Sequence, residues 1–226
     1  MLGLVAPGAL LTRVVTKVPL VVRSGEVTRV GIPWCQAGEP GRGPRAEGEN
    51  MSAQSLGEQT IDLLGRLVRL GCVNDLTADS GGEERAADLL EEFFAGLPVS
   101  IERITPHPGR TSLVVTVEGA DPLSTGTPLT LLGHTDVVPV DEAKWTRDPF
   151  GAQIEDDVMW GRGTVDMLHL TAAMAVGTRE VARRAQDGHP PARSLVFVAA
   201  ADEEARGGLG VPWIGEHRAD ALPWDA

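Results

Sequence analysis

The sequence predicts an α/β domain in which helices are layered on a mixed sheet, and two observations carry that expectation. After residue 129, apolar runs of strand length alternate with stretches of helical periodicity: 129–132, 167–184, 194–201 and 209–217. Before it, residues 99–104 and 112–117 read as a strand pair separated by Pro106, Pro108 and Gly109. In such a sheet the chemistry is expected at the carboxyl ends of the strands. No internal repeat is apparent.

Taken in order, residues 1–11 are apolar but lack the basic start of a secretory signal, and Arg13 and Lys17 interrupt them too early for a membrane span. Neither export nor a membrane anchor is expected. Residues 36–50 are rich in Gly, Pro and charge and bury too little apolar surface to fold alone. Residues 1–50 therefore read as an N-terminal extension, disordered or not native, with Met51 as the physiological start and 51–226 as the domain. Ile61, Leu63, Leu64, Leu67, Val68 and Leu70 recur at helical spacing. Ser80 with Glu83 resembles a capping box opening a helix through Leu89, Leu90, Phe93 and Phe94. In the long helical stretch 167–184, Leu170, Met174 and Val181 are expected to face inward.

Composition excludes several classes. The formal net charge is −12, and residues 1–50 hold six Lys/Arg against four Asp/Glu, so residues 51–226 carry −14. A phosphate backbone would repel such a surface, so no nucleic-acid partner is expected. Two cysteines, Cys35 and Cys72, are too few for a disulfide framework and match no metal-knuckle spacing, which suits a reducing, cytoplasmic setting. There is no HExxH helix, no Gly-x-Ser-x-Gly elbow and no phosphate-cradling loop.

Three segments carry candidate chemistry. Gly133-His134-Thr135-Asp136 sets an imidazole and a carboxylate two residues apart just past a strand, on one side of an extended chain. His134 is a candidate metal ligand with Asp136 behind it, or the two form a structural hydrogen-bonded pair. Trp160-Gly161-Arg162-Gly163-Thr164-Val165-Asp166 is a glycine-bracketed turn that delivers Asp166 to a helix start, where it either bridges metal ions or simply complements the helix dipole. Asp202-Glu203-Glu204 ends an apolar strand in three consecutive acids, an arrangement that is costly unless a cation or a raised pKa compensates, or unless the loop is solvated.

Together with Trp145, Asp148-Pro149-Phe150 and Met167, in that order and spacing, these residues resemble the M20 family of co-catalytic zinc metallopeptidases and deacylases. Aminoacylase, acetylornithine deacetylase, succinyl-diaminopimelate desuccinylase and carboxypeptidases are among its members. The resemblance runs from about Gln59 to Glu216. It implies a zinc-exopeptidase-like catalytic domain that hydrolyses amide bonds in peptides or N-acyl amino acids. It also implies two Zn2+ ions, with Co2+ or Mn2+ suiting the same N/O ligands. By that resemblance His134 and Glu204 each ligate one ion, Asp166 bridges both, Asp136 orients His134, and Glu203 is the general base.

The chain departs from the family pattern in two places. Leu168-His169 stands where Lys-Gly is common, and His169 is expected to be an exposed helix residue, as are His107, His189 and His217 in their own Pro-rich or polar settings. The family's later acidic ligand, last histidine and dimerising lid domain would lie beyond Ala226. The expectation is a C-terminally truncated catalytic domain with weak metal binding and poor turnover. The alternatives are an inactive fragment that at most binds a partner, or a hydrolase completed by a second polypeptide.

Overall fold

The computed structural model describes residues 54–120, 127–205 and 208–222, so the expectations for residues 1–50, Cys35 and the Met51 start lie outside the described residues. Among these, α1 (Leu56–Leu70) and α2 (Glu84–Phe94) precede the hairpin β1 (Ser100–His107) and β2 (Arg110–Val117). β3 (Leu129–His134), the small hairpin β4 (Gln153–Glu155) and β5 (Val158–Trp160), α3 (Leu168–Gln186), β6 (Leu195–Ala200) and α4 (Val211–His217) follow.

The main sheet has the order β1-β2-β6-β3. β1 and β2 pair antiparallel, as do β2 and β6, while β3 runs parallel to β6 with His134 opposite Ala200. The sheet is therefore mixed, as expected. β6 is buried along its whole length because both its edges and both its faces are covered, which is why it reads as an unbroken apolar run. One face packs Leu113, Val115, Phe197 and Ala199 against α1, α2 and α3. The other packs Val114, Val196, Val198 and Ala200 against Ile214 of α4. The alternation along β2 and β6 thus feeds two cores from one sheet. Pro106 lies in β1, an edge strand, beside a register shift between Ile104 and His107, where a missing N–H costs no ladder bond.

Two local expectations are corrected. The capping box belongs to α1: the Ser55 hydroxyl accepts from the Glu58 N–H, and the Glu58 carboxylate accepts from the Ser55 N–H. Ser80 and Glu83 do not cap α2, because both side chains are drawn to Arg110. In α3, Leu170 is 47% exposed; the inward face is Leu168, Thr171, Ala172, Ala175, Val176 and Ala182. That face is dominated by small residues, which lets α3 lie close to the sheet. The β4–β5 hairpin had no sequence signal, since its strands are three residues long and none of their residues is buried.

Candidate metal-dependent active site

Two neighbouring parallel strands, β3 and β6, end at the same level, and their carboxyl ends carry His134 and the 202–204 turn. Asp166 arrives from the loop before α3, with the Asp166–Met167 peptide cis. Gly163 turns that loop at φ +88°, and a Cβ there would lie 2.6 Å from Leu168 and 2.7 Å from Val137. The loop is also held from behind, where the Arg162 N–H donates to the Pro149 carbonyl at 2.7 Å. Phe150 packs on the core, and the Asp148 carboxylate accepts from its N–H at 2.8 Å.

The chain thus brings His134, Asp166 and Glu204 together, each offering one ligand atom within 4.8 Å of the others. His134 Nε2 stands 3.5 Å from Asp166 Oδ1 and 3.6 Å from Glu203 Oε2. The imidazole is buried, whereas the side chains of Asp166 and Glu203 are 78% and 61% exposed, so the cluster opens to solvent on its acidic side. His134 Nδ1 lies 3.0 Å from the Asp136 carbonyl, which can only accept, so Nδ1 carries the hydrogen and Nε2 is the nitrogen turned to the acids. The Asp136 carboxylate is 3.5 Å from Nδ1. It also accepts from the Glu203 N–H at 3.2 Å, the Glu204 N–H at 3.0 Å and the Asn74 amide at 2.9 Å.

Charge in the cluster is unbalanced. Burial opposes a charged His134, but Asp136 and then Glu203 outweigh it and push the imidazole up to about 9. Burial also raises the Glu204 carboxyl; His134 opposes this, while Asp166, Asp136 and Glu203 reinforce it. A group of acids around one imidazole that holds a proton so tightly is a site in which a cation would relieve repulsion. One imidazole nitrogen with carboxylate oxygens is a donor set that suits Zn2+, Co2+ or Mn2+. The residues present therefore fit such ions.

His169 departs from its expected exposure. It is half-buried, burial lowers its pKa against the pull of Asp166, and its Nδ1 has no hydrogen-bond partner among the described residues. His107 is partly shielded, 3.7 Å from Asp79, and His189 and His217 are exposed. Sequence reasoning missed Asn74 and Arg110 and read Glu83 only as a helix cap, yet all three are buried, and Asn74 and Glu83 hydrogen-bond to Asp202. Only a polar residue inside an apolar stretch could have hinted at them, and that pattern is not specific.

Residues 130–226 match the model of peptidase family M20/M25/M40. The chain is 51% identical over 73 residues to succinyl-diaminopimelate desuccinylase 1 of Ruegeria sp. (strain TM1040), covering 32% of this chain and 18% of that protein. It is 35% identical over 150 residues to the succinyl-diaminopimelate desuccinylase of Dechloromonas aromatica (strain RCB), covering 66% of this chain and 36% of that protein. The chain thus spans about a third or less of the length of these relatives. In fold it is similar to an M20 family metallo-carboxypeptidase from Sulfolobus solfataricus, with a TM-score of 0.52 at 18% identity over 73% of this chain and 36% of that one. These similarities support membership of peptidase family M20, with the chain matching part of a catalytic domain.

Proposed function

We propose that the chain contributes the catalytic layer of a metal-dependent hydrolase of amide bonds in small N-acyl amino acids or peptides. The observation that carries this reading is the meeting of His134, Asp166 and Glu204, from three separated segments, within 4.8 Å. The names of the curated relatives favour an N-succinyl amino acid as the first substrate to try. A carboxypeptidase-type cut of a dipeptide is the second.

In this reading His134, Asp166 and Glu204 would hold two zinc ions, with Asp166 as the shared ligand, and Co2+ or Mn2+ would suit the same donors. Bound ions would supply Lewis acidity, lowering the pKa of a water and polarising the scissile carbonyl. The chain's own groups do the rest. Asp136 holds the Glu203 and Glu204 backbone with its carboxylate and the His134 Nδ1 hydrogen with its carbonyl, so that Nε2 stays free to bind. Glu203, exposed and beside the imidazole, is the general base that takes a proton from water and returns it to the departing amine. No described helix is long and apolar enough to cross a membrane. The setting proposed is cytoplasmic, residues 1–50 are proposed as an extension outside the domain, and homodimerisation is proposed only for full-length relatives.

The test is hydrolysis of N-succinyl and N-acetyl amino acids and dipeptides with added Zn2+ or Co2+, with Glu203→Ala as control. Turnover in the wild type that Glu203→Ala loses, with metal uptake retained, supports the reading. Wild-type turnover indistinguishable from Glu203→Ala favours instead an inactive chain that at most binds a partner.

A further inference from the structure

The acidic turn after β6 is held from inside the protein. Asp202 has a left-handed backbone, φ 56°, and its N–H donates to Glu83 Oε1 at 3.1 Å. Its two carboxylate oxygens accept from the Asn74 amide and the Leu209 N–H, each at 2.9 Å. The next two N–H groups, of Glu203 and Glu204, both donate to Asp136. Asp136 and Asp202 are thus two buried carboxylates that grip one three-residue turn, 0% and 3% exposed. Like charges so placed repel unless a donor sits between them.

Asn74 is that donor. Its Nδ2 donates one hydrogen to Asp136 Oδ2 and the other to Asp202 Oδ1, both at 2.9 Å. Its Oδ1 accepts from Arg110 Nη2 at 3.1 Å and from the Leu76 N–H at 3.2 Å, so both donors and both lone pairs of the amide are used. Asn74 is brought there by the backbone: its N–H donates to the Val137 carbonyl at 2.8 Å, and the Val137 N–H donates to the Cys72 carbonyl at 2.9 Å, in a short parallel bridge. Arg110 then fixes the amide orientation, since Nη2 must meet an acceptor, and its remaining donors reach Ala78 and Thr77 carbonyls, Ser80 and Glu83. The amide cannot flip without setting donor against donor.

We infer that Asn74 is a positioning residue, which bridges Asp136 and Asp202 and so fixes the backbone from which Glu203 and Glu204 present their carboxylates to His134 and Asp166. What those carboxylates do rests on the function proposed above; the hold on the turn does not.

Asn74→Asp is the sharpest test, because it keeps the shape and the acceptor for Arg110 but removes both donors and adds a buried carboxylate to those of Asp136, Asp202 and Glu83. Two measurements on the full chain separate the inference from the functional reading. In the metal-free protein, hydrogen exchange at the Glu203 and Glu204 amides is expected to be at least about tenfold faster in Asn74→Asp, beyond any change at core amides of β6. In Co2+ titrations followed by the visible spectrum, affinity is expected to fall about 10–100-fold with an altered spectrum. Leu195→Ala, a cavity at the far end of β6, is the comparator for general destabilisation and is expected to change neither. If Asn74→Asp does not fold, the double variant with Asp202→Asn, which reverses one hydrogen bond and removes one charge, takes its place in both measurements. Exchange at 203 and 204 that follows the core amides, or Co2+ affinity equal to wild type, overturns the positioning role. A wild-type chain that takes up no Co2+ overturns the functional reading, and the exchange comparison alone then decides this one.

Discussion

Thr171 Oγ1 donates to the carbonyl of His134 at 2.8 Å, tying the first turn of α3 to the last residue of β3. The hydroxyl is buried, and it satisfies a carbonyl at a strand end where the ladder has stopped. Thr171→Val keeps the shape and removes the donor, leaving a buried carbonyl short of a partner. The expected loss is about 1–3 kcal/mol in denaturant unfolding, with Thr171→Ser retaining most of it.

The same contact needs Gly133. A Cβ at that position would lie 2.6 Å from Thr171 Oγ1 and 2.7 Å from Met174 Cε. Gly133→Ala is expected to push α3 off the sheet at a cost of about 1–3 kcal/mol, and to weaken metal uptake by displacing the Asp166 loop. Unchanged stability in this variant would show that α3 yields more easily than its packing implies.

His134 governs the pH response. Its pKa in the metal-free protein, about 9, lies above the ordinary 6.5, so its contribution to stability is full below about pH 6.5 and is lost as pH rises through 9. A metal must displace that proton. Metal affinity is therefore expected to climb about tenfold per pH unit between pH 7 and 8.5, with one proton released per site, measured by calorimetry in buffers of different ionisation heat. A saturating metal should also remove the decline in stability between pH 6.5 and 9.

Chelation gives a simpler readout. A ligand that binds only the folded state stabilises it in proportion to the logarithm of its concentration over Kd. Adding Zn2+ or Co2+ is expected to raise the Tm, EDTA to reverse the rise, and Glu204→Gln to abolish most of it. Glu203→Gln should keep the rise, because Glu203 is not assigned a ligand's role.

Cys72 is buried, and that burial pushes its thiol up to about 11. In native protein at pH 8 it is expected to resist iodoacetamide, with peptide mapping to separate it from Cys35, and to react on unfolding. Because its folded pKa lies above that of a free thiol, the folded state keeps a proton that the unfolded chain releases. Stability therefore falls as pH rises beyond about 9.

Much of the fold is legible in local pattern. The apolar run 194–201 announces a buried strand, residues 112–117 one strand of a pair, and the spacing from Ile61 to Leu70 a helix. These patterns are set by burial, and burial of a regular element repeats with a short period. Where side chains had two possible uses the sequence was silent. Ser80 and Glu83 have the spacing of a helix cap, yet a buried arginine 27 residues beyond Glu83 offers stronger partners than the α2 N–H groups do. Leu170 has the hydrophobicity of a core residue, but the small Ala and Thr residues one position along turn the close-packed face of α3 elsewhere.

By itself, then, the sequence determined the layer architecture and the three acid- and imidazole-bearing segments, because each is a feature of a few consecutive residues. The tertiary structure alone decided that these segments converge, and that a buried amide stands behind them. Asn74 lies 62 residues from Asp136 and 128 from Asp202, and contacts so distant in the chain leave no periodic trace. They exist only once parallel strands have ended at a common level and the core has excluded the water that would otherwise satisfy those groups.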